Sequence, residues 1–226
     1  MGDGTVLRMF AFRPARSDSA FDSTLRDDIL PGLLALSGLV DAFVGRHGPG
    51  DDQERVIASV WRSRRAMTAG LESSSLLAPF QPDQAPEIVA SRLDILPVAV
   101  AVHPERAEPP AIIRVYRGEV RSGELDAYVE DVRTGALADA DTNEGLVALY
   151  LGAQAPARFM TVSAWTGWSA IERATGGNVR QPIATRHAHR LVAGEVDHYE
   201  MLPNTVRPAI RVLTATRAGA TRAAAR

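Results

Sequence analysis

The chain has 226 residues, 46% hydrophobic and 23% charged, with a formal net charge of −2; this is the balance of a globular protein of one large domain or two of about 100 residues. It contains no cysteine, which excludes disulfides, thiolate nucleophiles and iron–sulfur ligation. All 25 Lys+Arg residues are Arg, which excludes Schiff-base chemistry and the phosphate-binding Lys of a Walker loop. No apolar run approaches the ~20 residues of a membrane span, and MGDGTVLRMF lacks the basic-then-apolar pattern of a secretory signal, so the cytoplasm is the expected compartment. After Glu200 the charged residues are Arg207, Arg211, Arg217, Arg222 and Arg226. Scattered among Ala and Thr without interleaved aromatics, they read as a solvated tail rather than a nucleic-acid contact.

In chain order, Val6 to Arg13 alternates with period two and predicts a strand. Ser17, Asp18 and Ser19 are N-cap candidates for a helix through FDSTLRDDILPGLLALSG, whose Phe21, Leu25, Ile29 and Leu33 recur every four residues. Pro31 is expected to kink or split that helix, because it lacks an N–H. Leu39 to Arg46 reads as a strand, His47 to Asp52 as a turn and Arg55 to Trp61 as a third strand. Ser63 caps a helix through Leu77; APFQPDQAP is a loop, and Arg92 to Val102 is an apolar strand. The Pro-rich segment HPERAEPP (103–110) reads as a linker. Ala111 to Val120 then opens a second series. It continues with a helix on which Leu125, Tyr128, Val129 and Val132 share a face, then strands at Gly145 to Gly152 and Arg158 to Trp165. A short helix capped by Thr166 ends at Gly176-Gly177, and a last strand lies around Glu195 to Leu202. Pro208 to Thr216 is a possible edge strand.

The second series repeats the first. VLRMFAFR and IIRVYRGE share an Arg at the third position and an aromatic two residues later, and Ser59-Val60-Trp61 recurs as Ser163-Ala164-Trp165. Arg8 and Arg114 are 106 positions apart, Trp61 and Trp165 104. Two landmarks displaced by nearly the same amount predict duplicated units, 1–103 and 111–202, followed by a tail at 203–226. Each reads β-α-β-β-α-β, a ferredoxin-like unit. A four-stranded sheet with its helices on one side must bury its other face, and a second copy is the obvious cover. The expected fold is therefore α+β: two tandem ferredoxin-like units packed sheet to sheet, with no partner chain needed to complete the core.

Several residues have both a chemical and a structural reading. Trp61 and Trp165, at strand ends, either stack on a flat substrate or anchor the following helix to the sheet. Arg114 and Tyr116, two apart on a strand, share a face; they bind a quinone oxygen or carboxylate, or form a sheet-face ion pair. His187 with His189, and His198 with Glu200, alternate as metal ligands or a base and its orienter would, and equally as surface or structural residues. Tyr199 is a donor to a substrate oxygen or an amphipathic strand-edge residue.

Two β-α-β-β-α-β units, each with a third strand ending in Trp and leading into a helix, resemble the dimeric α/β-barrel superfamily. RFMTVSAWTGWSAI, followed by GG and later by DHYEML, is similar to its antibiotic biosynthesis monooxygenase group. That resemblance implies an intramolecular dimeric α/β barrel and a cofactor-independent monooxygenase for a small aromatic or polyketide-like substrate. Trp165 would stack on the substrate while Arg114 and Tyr116 stabilise its oxyanion, and Trp61, Trp168, His187 and Tyr199 would line the pocket. It implies no cofactor and no metal, no nucleic-acid or membrane partner, and a monomeric pseudo-dimer or a homodimer. The family's first-strand Asn has no match here, the inward candidates being Arg8 and Phe10 in one half and Arg114 and Tyr116 in the other, and the helices after the Trp residues offer Arg64 and Arg65, or Trp168 and Glu172, without His. The alternatives are a non-catalytic ligand-binding or structural protein of the same fold, and a haem-binding protein.

Overall fold

Alternating apolar residues build eight strands: β1 (Val6–Pro14), β2 (Leu39–Arg46), β3 (Arg55–Trp61), β4 (Ile88–Val102), β5 (Ile112–Val120), β6 (Leu146–Gln154), β7 (Arg158–Trp165) and β8 (Leu191–Met201). The computed structural model describes residues 4–14, 19–47, 54–73, 88–104, 108–139, 143–181 and 188–202. The strands run β1-β3-β2-β8-β5-β7-β6-β4 and close into a barrel. Each half supplies four neighbouring strands, in the order β4-β1-β3-β2 and β8-β5-β7-β6. At one seam β4 pairs with β6 from Val98 to Val102, and at the other β2 meets β8 through Gly45 with Met201 and Arg46 with Glu200. The two sheets thus cover each other's inner faces and also hydrogen-bond at both edges, so the barrel leaves no open strand edge. The fold is α+β.

Because side chains alternate across a strand, each strand has a barrel face and a helix face. Leu7, Met9 and Ala11 of β1 meet Val56, Ala58 and Val60 of β3, Ile113 and Val115 of β5 and Val162 and Ala164 of β7 in one buried core. Each large side chain sealed there contributes about 1.5–3 kcal/mol. The opposite faces carry the helices α1 (Ser19–Thr24), α2 (Leu30–Leu34), α3 (Arg64–Glu72), α4 (Leu125–Asp139) and α5 (Trp168–Thr175). Val6, Phe12 and Trp61 pack under the first-half helices, and Ile112 and Trp165 pack against Ala170 and Ile171 of α5.

The long first helix is in three parts. A π turn, Leu25–Ile29, separates α1 from α2, and the Leu30 N–H reaches back to the Leu25 carbonyl. Pro31 offers no N–H to the preceding turn, and the wider turn accommodates that loss. It also suits the four-residue stripe, which advances faster than 3.6 residues per turn: Leu25, Ile29 and Leu33 are all buried. Ser63 caps α3 as expected, its Oγ accepting the Ala66 N–H at 3.0 Å. At α5 the cap is Gly167, not Thr166, and no side chain closes that end. Gly176, at φ 67°, ends α5 in a left-handed turn, where glycine carries no Cβ penalty. β4 starts at Ile88, four residues before the expected Arg92. The proposed edge strand at Pro208, APFQPDQAP and the far end of the helix expected to reach Leu77 lie outside the described residues.

The duplication extends to backbone detail. Gly38 and Gly145, before β2 and β6, have φ of +86° and +89°. A Cβ would lie 2.6 Å from the Ala66 Cβ at Gly38 and 2.5 Å from the Ala170 Cβ at Gly145. Each helix is thus seated against the turn that starts its neighbouring strand.

Candidate functional site

Pairing of β5 with β7 and β8 places Ser163 and His198 on either side of Arg114. By strand alternation these three side chains belong to the helix face, as does Tyr116 two residues along β5. Arg114 is only 3% exposed. Its Nη2 donates to the Gln181 carbonyl at 2.7 Å, while its Nε is buried without a hydrogen-bond partner. Among the described residues no carboxylate pairs with Arg114, so the expected sheet-face ion pair is replaced by a backbone carbonyl. Burial lowers the guanidinium pKa to about 10, with the Tyr116 phenol opposing, so Arg114 remains cationic at neutral pH.

His198 supplies the complementary feature. Its Nε2 is also buried without a partner, and the Trp168 ring lies 5.0 Å from its own, centroid to centroid. Burial first, then the neighbouring Arg114 charge, lower its pKa to about 4, with Asp197 opposing. The imidazole is therefore neutral at pH 7 and has a lone pair to offer. Trp168, the first residue of α5, is 40% exposed and forms the aromatic rim of this group.

Tyr116 packs edge-on against Phe159 at 5.2 Å and lies over Gly194, where a Cβ would fall 2.5 Å from the phenol oxygen. The missing side chain at Gly194 is what admits the ring. Burial raises the Tyr116 pKa, Arg114 opposing, so the phenol stays protonated and can donate. Trp165 is fully buried; its Nε1 donates to the Ser163 Oγ at 2.9 Å, and the Ser163 hydroxyl donates to the Arg114 carbonyl at 3.3 Å. It forms a wall that fixes the strand carrying Arg114, with its polar atom already engaged.

The other sequence candidates lie apart. Trp61 is in the first half, fully buried, its Nε1 donating to the Ser59 Oγ at 3.0 Å. It packs against α3 at Gly70, where a Cβ would lie 3.0 Å from the indole. Tyr199 sits beside His198 in sequence and hence on the opposite face of the sheet: it belongs to the barrel core and donates to Glu54 of the first half. His187 lies outside the described residues. Sequence reasoning left out Ser163 and the Gln181 carbonyl, and noted His198 only as a partner of Glu200. A cleft of about 390 Å³ lies elsewhere, at one end of the barrel, lined by Arg92, Asp94, Arg117, Arg158 and Glu195 among others. There Arg117 pairs with Asp197 and Arg158 with Asp94, so its cations already have counter-charges. Among the described residues no three His, Asp or Glu cluster as a metal site, and no helix is long and apolar enough to cross a membrane.

No protein-family model matches the chain, and no curated protein sequence does. Solved structures do. A candidate monooxygenase from Fusobacterium nucleatum superposes with a TM-score of 0.69 at 12% identity, covering 89% of this chain and 94% of that one. A candidate monooxygenase from Lactobacillus acidophilus gives 0.69 at 12% identity, covering 88% and 94%. An anthrone oxidase-like protein gives 0.57 at 13% identity, covering 92% and 97%. At such identities the likeness concerns the fold, which hosts many activities. The chain shares the fold of these structures, an eight-stranded antiparallel barrel with helices on its outer face, closed here within one polypeptide.

Proposed function

We propose that the second half is the active one and that the protein is a cofactor-independent monooxygenase for a small aromatic or polyketide-like substrate, working in the cytoplasm as a single-chain pseudo-dimer. One observation carries this reading. The Arg114 Nε–H, a buried donor, and the His198 Nε2 have no hydrogen-bond partner among the described residues; the two residues are paired across β5 and β8, and the half-exposed Trp168 ring lies against the imidazole. Buried polar atoms left unpaired are costly, and a phenolic or enolic ligand satisfies both. Its oxygen would accept from Arg114 and, for a second contact, from Tyr116; its O–H would donate to His198, and its ring would lie along Trp168.

As the substrate ionises, Arg114 holds the developing negative charge in a site of low dielectric. His198 accepts the proton at the same time, because the new anion offsets the Arg114 charge that otherwise disfavours an imidazolium. The electron-rich anion then reduces dioxygen. For an anthrone, the methylene carbon becomes a carbonyl, one oxygen atom enters the quinone and the other leaves as water.

One structural neighbour is named as anthrone oxidase-like, which makes anthrone a suitable probe. Aerobic incubation with no added cofactor is expected to give oxygen uptake above the spontaneous rate, with one dioxygen consumed per anthraquinone. Arg114→Met is expected to lower the rate by about 10²–10³-fold, as loss of an oxyanion donor does elsewhere. Uptake at the spontaneous rate in the native protein overturns the reading. A haemin-induced Soret shift that disappears in His198→Ala would move the assignment to haem.

A further inference from the structure

Arg8 holds in β1 the place that Arg114 holds in β5, and it is 7% exposed. Its guanidinium lies over the Phe10 ring, 5.4 Å from the centroid, and among the described residues it makes no ion pair or hydrogen bond with an oxygen. Other arginines of the barrel differ. Arg55, 1% exposed, donates through its Nε to Asp22 at 2.6 Å; Arg117 has Asp197, and Arg114 has the Gln181 carbonyl. Burial lowers the Arg8 pKa to about 10, so the group is cationic at neutral pH, and among the described residues no counter-charge pairs with it. A buried charge without a counter-charge is costly to retain. Here it is kept at a position that the duplication has matched in both halves.

The surroundings of Arg8 lack the protic groups of the second half. Across β4 its neighbour is Ile95, where Arg114 faces His198. Along the strand comes Phe10, where the second half has Tyr116. Across β3, Ser59 already accepts from Trp61. Among the described residues a ligand here meets a cation and apolar walls, with neither imidazole nor phenol beside the arginine.

We infer that the first half holds a second binding site, centred on Arg8, for a small organic carboxylate with an apolar body, which docks there without reacting. The two carboxylate oxygens match the parallel N–H donors of a guanidinium, and Phe10 and Ile95 cover the hydrocarbon. This site stands whether or not the second half oxidises anything.

The test is calorimetric titration of the full chain with 2-naphthoate. Arg114→Met, in which the second-half cation is gone, is expected to bind one naphthoate and to gain thermal stability from it. Arg8→Met/Arg114→Met is expected to bind at least about tenfold more weakly, the loss of one charge-assisted pair, and to show no thermal shift. Methionine in place of an uncompensated buried Arg is expected to preserve folding. Should the double variant fail to fold, the Arg114→Met titration decides alone. Absence of binding to Arg114→Met, or equal binding by the two variants, overturns the inference. So does displacement of naphthoate by equimolar inorganic phosphate, which would assign the site to inorganic anions.

Discussion

The two halves of the barrel agree wherever the scaffold needs them to and differ around the two matched arginines. Both hold a Trp through a Ser two residues earlier, both seat a helix Ala against a positive-φ glycine, and both bury an arginine from their first strand that no carboxylate pairs among the described residues. Beside Arg8 on the sheet are Phe10 and Ile95, and beside Arg114 are Tyr116 and His198; α3 opens with Arg64, whereas α5 opens with Trp168. The contrast teaches that the recurring residues build the fold and keep a cation under each helix layer. Three differences on that common plan then give one copy a phenol, an imidazole and an indole.

The shared part is the easier to break. Trp61→Ala and Trp165→Ala are each expected to cost about 3–5 kcal/mol in denaturant unfolding, the range for a large buried aromatic, and to cost the two halves alike. A penalty under about 1 kcal/mol at either would mean that the Ser–Trp anchor is structural in one copy only. Next come Gly38→Ala and Gly145→Ala, expected at about 1–3 kcal/mol each from steric overlap and unfavourable φ. Unequal costs would show that the matched helix seats are not equivalent. A pH-dependent effect sits in the half that differs. Folding holds the His198 pKa near 4, below its ordinary value of 6.5. Between those values the unfolded chain binds a proton that the folded chain refuses, so stability falls as pH is lowered from about 6.5 towards 4 and is fully present above that window. His198→Leu should flatten this part of the profile, whereas Ile95→Leu should leave it intact.

Much of this was legible in the sequence, and the misses have physical causes. Period-two alternation in VLRMFAFR and IIRVYRGE placed β1 and β5 and put Arg114 and Tyr116 on one face, because strand geometry is local. The matched Trp residues gave the duplication, and an unpaired sheet face gave the barrel. The π turn before Pro31 was not legible, since only the bonding pattern separates it from an α-helix. Nor was the start of β4 at Ile88, which follows a Pro-rich stretch and lacks the apolar run that marked the rest of the strand. His198 was visible only as an alternating partner of Glu200. What gives it meaning is the register that sets it opposite Arg114, and register between β5 and β8 is fixed by contacts about 80 residues apart in the chain. Tyr199 is the instructive case. Its sequence neighbour is at the site, yet alternation along β8 turns it into the barrel, where it serves the seam between halves through Glu54.

The central claim is that the second half holds a neutral imidazole beside an arginine that no described carboxylate pairs, ready for a ligand that brings an anion. Nitrogen-15 NMR of the imidazole side chains, with His198 assigned by comparison with His198→Leu, tests it directly. Among the described residues the charged and titratable groups around that ring are Arg114 on β5, Asp197 on β8, His47 after β2 and Arg180 after α5. The account predicts that His198 titrates near pH 4 in the free protein and at a higher pH once 2-naphthoate is bound, with that rise lost in Arg114→Met. A His198 that titrates near 6.5 and does not respond to the ligand would contradict it.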